Sequence, residues 1–526
     1  MIEKRYIIRG IWISYLQMFV GIIFSFLLTP IKIRYLGQYV YGLWVTLGSA
    51  VGYLGLFNFG MSTATIKYTA EYHARNEQEI LNKTISSILV VFILIGIFII
   101  LICAGLTPFL PHIFNLTGDL VSVGKIVFLI MGLNLVLGLL GNIFGNIIYG
   151  YQRVDIRNTY SIIQGIANAL LVITLLRLGF GIIGLAIASL LSILIVSVLY
   201  LLFIHHSNYG IIIHPRLVDF KIFKEIVPYS IRSFVLGLTT QICFKTDNIV
   251  IGALLLVSLV TPYSVAYHLC FTVTTLIMKI PYAIFPTFTK LYTLKDINSL
   301  RSLFLKTVKI SVAIFVPFAV FIAIFGHSFI NLWVGEENYV GTSVLLVLIF
   351  INFLHAFAGP AGAILQGIGK NKEIMYSNVV MAVLNLMLSI IMAQKIGLIG
   401  VALGTLIAHL CTASWLGPLM VYKYTGLRVK KFFLSGVLPP FLAGIPTGVI
   451  TWIFIKDLFP NNNLFYLGFK GAMVIIIFAV IYLTICTTKE ERQMYFGLLL
   501  RIDRKQAGIQ NLAFQEDTNN NNSIRK

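Results

Sequence analysis

The sequence predicts an all-α polytopic membrane protein of about fourteen transmembrane helices. Two six-helix lobes, related by a pseudo-two-fold axis along the membrane normal, would carry two further helices at the C-terminal end. Three observations predict this. Of 526 residues, 58% are hydrophobic and 11% charged, with mean hydropathy +0.92. A soluble domain is instead about 45–50% apolar and about 25% charged. Second, apolar stretches of the roughly 20 residues needed to cross a bilayer core recur along the chain. Third, a weak internal repeat relates the two halves.

The expected spans, in order, are 11–29, 41–60, 85–107, 123–148, 159–176, 182–204, 227–252, 262–286, 310–333, 343–368, 374–394, 398–421, 434–455 and 465–488. The first is long enough to span and no small-residue cleavage site follows it, so it reads as a retained helix. Residues 1–204 form the expected N-lobe with spans one to six, and 227–421 the C-lobe with spans seven to twelve. Spans thirteen and fourteen occupy 422–488. The joining segment 205–226 is too polar to span, and its periodic Phe220, Phe223 and Ile226 beside Lys221 and Lys224 suggest a short surface helix. The tail 489–526 ends in a polar stretch from Gln506, with asparagines at 519–522, that is expected to be disordered.

Lysine and arginine orient the spans. If the N-terminus is cytoplasmic, the inner segments carry 29 of the 39 basic residues. Outer loops and helix ends carry seven, and three lie within spans. That bias places both termini in the cytoplasm by the positive-inside rule. Much of the net charge of +20 is therefore topological, a basic inner face attracting anionic lipid rather than nucleic acid.

The repeat sets Gly145, Gly150 and Asn168 against Gly362, Gly367 and Asn385 at one offset. Gly181 and Gly184 match Gly397 and Gly400 after a one-residue gap. Six spans separate equivalent helices, so both copies share one orientation and the relating axis lies along the membrane normal.

The span residues with chemistry to explain are few. Arg232, Lys245 and Lys279 are basic, and Asp247 is the one acid. A charge at mid-bilayer costs about 2.5–3.5 kcal/mol on insertion scales. Lys245 and Asp247 are two residues apart, so they diverge on a helix and pair poorly with each other. Either both are interfacial anchors, or one faces a hydrated cavity between lobes. Arg232 and Lys279 could snorkel to the inner surface or line the same cavity. His268, His355 and His409 read as helix–helix hydrogen bonders, with Asn134, Asn142, Asn146 and Asn168 in the same packing role. Pro228, Pro262, Pro281, Pro286, Pro317 and Pro360 would bend their helices. The five cysteines are scattered without metal-ligand spacing, and neither a metal nor a cofactor is expected. There is no HExxH, GxSxG or Walker sequence and no paired-carboxylate site in a span, so an enzyme or ATP-driven pump is not expected.

Four stretches in order carry a family resemblance: "RYLGQYVYGLW" (Arg34 to Trp44), "LGLFNFGMSTATIKYTAEY" (Leu54 to Tyr72), "TDNIVIG" with "VTPYSVAYHL" (Thr246 to Gly252, Val260 to Leu269), and "LQGIGK" (Leu365 to Lys370). Together they resemble the oligosaccharide and polysaccharide flippases of the multidrug/oligosaccharidyl-lipid/polysaccharide exporter superfamily. The resemblance implies a flippase of the cytoplasmic membrane that turns a polyprenyl-pyrophosphate-linked sugar repeat unit outward by alternating access. It also implies membrane lipids and other polysaccharide-assembly proteins as partners. Arg232, Lys245, Lys279 and Arg34 would then hold the pyrophosphate, since charge-assisted hydrogen bonds are the strong ones. Asp247 would orient a lysine or take part in coupling. The alternatives are a cation-coupled multidrug extruder, disfavoured because no acid lies in a first-lobe span, and a polysaccharide polymerase or ligase, disfavoured because outer loops are short. A lipid scramblase or structural membrane protein is a third.

Overall fold

The computed structural model describes residues 4–207, 209–219, 234, 238–239, 241–242, 245–488 and 491–492. Arg232, the expected linker helix around 220–226 and the polar tail lie outside the described residues. The first element already departs from expectation. α1 (Lys4–Leu54) stays helical through the stretch read as the first outer loop, and the bend separating spans one and two falls at Gly37, with φ +74 and ψ +169. Glycine reaches positive φ at little cost, so one residue does the work of a loop.

α2 (Met61–Ala74), α3 (Gln78–Leu106), α4 (Leu120–Gly150), α5 (Val154–Arg177) and α6 (Gly181–His206) follow. Residues 209–219 run back along α3, where the Asn82 side chain donates to the Gly210 carbonyl (3.1 Å) and accepts from the Ile212 N–H (3.2 Å). A helix over 245–254, α7, leads into α8 (Val257–Thr293), α9 (Ile297–Val334), α10 (Thr342–Gly367) and α11 (Asn371–Ile396). The twelfth expected span is broken at Thr412 into α12 (Leu398–Cys411) and α13 (Ala413–Thr425). α14 (Val429–Ile455) contains two π-turns, and α15 is Leu464–Ile485. Among the described residues, 12 helical stretches are long and apolar enough to cross a membrane. The first of them contains two expected spans, and most of span 227–252 lies outside the described residues. The chain is thus a multi-pass, all-helical membrane protein.

Apolar side chains of α1 to α6 pack around Leu43, Val127, Ile143 and Leu185, and those of α8 to α15 around Val265, Phe304, Ala356 and Phe325. The repeat glycines owe their match to packing. A Cβ on Gly150 would lie 2.5 Å from Thr69 Cβ, and one on Gly367 would lie 3.1 Å from Phe288 Cβ. Gly181 and Gly397 both carry positive φ at a helix start. Near the end of the bundle, the buried Lys470 ammonium donates to the carbonyls of Lys456 and Phe459 (2.6 Å each) and to Asn461 Oδ1 (2.7 Å), closing the α14–α15 turn.

The two helix groups meet mainly through α1. Thr261 Oγ1 donates to the Gln38 carbonyl (2.6 Å), Trp333 Nε1 to the Phe26 carbonyl (2.8 Å), and Asn248 Nδ2 to Ser49 Oγ (3.1 Å). These contacts seal the membrane face opposite the N-terminus. Gly42 allows the close approach, because a Cβ there would collide with the Val257 carbonyl oxygen and lie 3.1 Å from Thr261 Oγ1. Overpacking of this kind costs about 1–3 kcal/mol. Gly42→Val should therefore lower the thermal midpoint and loosen the seal. Labelling of a Ser264→Cys probe by an impermeant thiol reagent from that face should rise, and unchanged labelling would contradict the seal.

Candidate functional site

Two helices turn polar stripes toward one another. On α1, Ser14, Gln17, Gly21, Ser25, Thr29 and Lys32 recur at spacings of three and four; on α8, Ser264, His268, Thr272, Thr275 and Lys279 do the same. Residues so spaced share one face of a helix. The two faces border a cavity of about 900 Å³, which α7 and the first turn of α5 complete.

Four cations line this cavity: Lys32 from α1, Lys245 from α7, Lys279 from α8 and Arg157 from α5. Among the described residues no aspartate or glutamate does. Lys245 and Lys279 are exposed toward the cavity space. The Arg157 guanidinium lies 5.3 Å from the centre of the Tyr149 ring, and neighbouring Asn158 donates to Ser14 Oγ (2.6 Å). Midway, His268 Nε2 is 2.5 Å from Ser25 Oγ, tying α8 to α1 across the cavity wall. At the end of the cavity nearer the N-terminus, Gly10 of α1 packs against Val154 at the start of α5.

The sequence-chosen residues are distributed unevenly over this geometry. Lys245 and Lys279 are brought together in the cavity. Arg34 is not: it lines a separate depression of about 460 Å³ with Ile31, Tyr35, Ile173 and Arg177. Arg232 is outside the described residues. Asp247 is buried, 6% exposed, and turned into the helix packing. It accepts from the Tyr263 hydroxyl (2.5 Å) and from the Thr405 hydroxyl (3.2 Å), which in turn accepts from Asn385 Nδ2 (2.7 Å). Among the described residues no lysine or arginine forms an ion pair with it. Its contacts are therefore with hydroxyl groups rather than with Lys245. The near-opposite azimuths of positions 245 and 247 put one in the cavity and the other against α8 and α12.

Lys32 and Arg157 were missed. Lys32 lies just past expected span 11–29 and Arg157 just before expected span 159–176, so neither counts as a charge within a span. The polar stripes of α1 and α8 were the available signal.

A family described as "Polysaccharide biosynthesis protein" matches residues 40–340. A Shigella flexneri protein assigned as an O-antigen transporter is 25% identical over 403 residues, covering 74% of this chain and 93% of the relative. Among solved structures, the lipid II flippase MurJ in an inward closed conformation aligns with TM-score 0.70 at 16% identity, over 90% of this chain and 98% of its own. An inward-facing multidrug-resistance MATE transporter aligns with TM-score 0.63 at 18% identity, over 77% and 96% respectively. These two structures share the fold.

Proposed function

The chain belongs to the polysaccharide biosynthesis protein family, and from that membership and the cationic cavity we propose that it flips a lipid-linked glycan unit across the cytoplasmic membrane. It is a transporter rather than an enzyme, as its relatives are. The observation that carries the finer reading is the cavity itself: among the described residues, four cations and no acid line it between two helix groups. Such a lining suits an anionic headgroup, and a polyprenyl pyrophosphate presents one. Each charge-assisted hydrogen bond contributes about 1.5–3 kcal/mol. Sugars would occupy the hydrated space, while the polyprenyl tail stays in lipid.

The seal between α1 and α8 supports a reading of alternating access. Loading would come from the N-terminal face, cytoplasmic by the distribution of basic residues, because the opposite end is closed by α1 against α8. Loading the headgroup, whose diphosphate diester carries two ionisable oxygens, would offset part of the charge of the cations and reduce the repulsion between them. Rocking of the helix groups about α1 would then move the opening to the other side. The same lining disfavours the multidrug reading for cationic drugs, which it would repel. Deleting the gene should make lipid-linked repeat units accumulate on the inner leaflet, with surface glycan restored by the wild-type copy. Unchanged surface glycan in the deletion strain would remove the proposal.

A further inference from the structure

The depression that holds Arg34 lies on the far side of α1 from the cationic cavity. Lys32 and Arg34 are two residues apart, so at 3.6 residues per turn their side chains diverge by roughly 200°. Lys32 lines the cavity, whereas Arg34 is exposed, with Ile31 and Tyr35 beside it. α5 brings Ile173 and Arg177 to the same depression. Gly10 of α1 packs against Val154 of α5, and the two helices run parallel from there, so both arginines stand at the membrane face opposite the N-terminus. One apolar cluster, with Leu28 of α1 and Val172 and Leu176 of α5, packs the helices together beneath them.

The two helices repeat one pattern. Ile23, Leu27 and Arg34 on α1, and Ile166, Leu170 and Arg177 on α5, have the same spacing, and all six are exposed. Residues four and seven apart share a helix face, so each helix presents an uncovered apolar strip that ends in a guanidinium. From isoleucine to arginine each strip rises about 16 Å at 1.5 Å per residue. That is about the hydrocarbon depth of one leaflet, half of a core roughly 30 Å thick. Among the described residues neither guanidinium has a hydrogen-bond or ion-pair partner, and no acid lines the depression. Lys470 differs, its ammonium being enclosed by carbonyls. Two guanidinium groups sharing one depression repel each other unless an anion lies between them.

We propose that Arg34 and Arg177 bind the headgroup phosphate of an anionic phospholipid from the leaflet opposite the N-terminus, with its acyl chains along the exposed strips of α1 and α5. Guanidinium N–H groups meet phosphate oxygens in pairs, which makes such contacts strong. Tyr35, 50% exposed at the rim, suits the boundary between headgroup and hydrocarbon. Two positive charges favour a headgroup with net negative charge, such as phosphatidylglycerol, over a zwitterionic one. A cargo held in the cavity is the poorer occupant, because it would have to pass around α1 to reach this face. The lipid fastens α1 to α5 just before the bend at Gly37. The site does not depend on the flippase reading.

The full chain in detergent micelles, titrated with phosphatidylglycerol and read by native mass spectrometry, tests this. Wild type should bind one phosphatidylglycerol molecule that the double variant Arg34→Gln/Arg177→Gln binds about 25-fold more weakly, at roughly fivefold for each basic residue facing an anionic headgroup. Arg34→Lys/Arg177→Lys should recover most of that affinity, which separates loss of charge from loss of fold. Phosphatidylglycerol with a photoreactive acyl chain should label the segments around Leu27 and Leu170 in wild type and not in the glutamine variant. Equal affinity in wild type and the glutamine variant, or labelling spread evenly over the lipid-facing helices, would overturn the proposal. Phosphatidylcholine bound as tightly as phosphatidylglycerol would also overturn it. So would displacement by inorganic phosphate, which would make this a free-anion site, or by equimolar polyprenyl pyrophosphate, which would put it on the path of the cargo.

Discussion

Replacing Lys32 and Lys245 together with glutamine should reduce flipping efficiency by about 100-fold or more. Two charge-assisted hydrogen bonds of about 1.5–3 kcal/mol each are lost, and every 1.4 kcal/mol is a factor of ten. The protein should still reach the membrane at normal levels, because glutamine is cheaper than lysine to place among apolar spans. The measurement is lipid-linked repeat units held on the inner leaflet against glycan displayed at the surface. Arg34→Gln provides the contrast. Its side chain lines the separate depression with Arg177, so its loss should be much smaller than that of the double variant. Equal losses would mean that the outer depression, and not the cavity, holds the headgroup.

Asp247→Asn should impair transport as severely as loss of a cavity lysine. An acid whose task was to orient Lys245 would tolerate the amide better than the loss of the lysine itself. The carboxylate instead takes hydrogen bonds from Tyr263 and Thr405, drawing α7, α8 and α12 together. The amide keeps the shape and an acceptor oxygen, so stability should change little. It cannot cycle between charged and neutral forms, so export should fall at least about tenfold if Asp247 couples transport to a gradient. Asp247→Leu should additionally destabilise the fold, since the buried Tyr263 hydroxyl loses its acceptor, at a cost of about 1–3 kcal/mol. Near-normal export by Asp247→Asn at wild-type protein level would show that the acid is only a packing group.

Some of this was legible without coordinates because it depends on residues close in sequence. Apolar length and the distribution of basic residues determined the spans and their expected orientation, since each helix must satisfy its backbone within itself to cross lipid. The matched glycines at 150 and 367 and at 181 and 397 were visible for the same local reason: each marks a tight approach or a positive φ at a helix end. The rarity of charge in spans was enough to single out Lys245, Asp247 and Lys279.

The tertiary structure alone decided which of those charges meet. Whether a side chain faces a cavity depends on how its helix is rotated against partners far along the chain, and sequence position does not encode that rotation. Asp247 finds its acceptor role through Thr405, 158 residues away, and Lys32 joins Lys245 only because α1 folds back against the helices beyond it. His355 and His409 looked like isolated imidazoles until the packing of α10 on α12 brought them to 3.2 Å. Spans are set by transfer of each segment into lipid, whereas the cavity is set by contacts between segments.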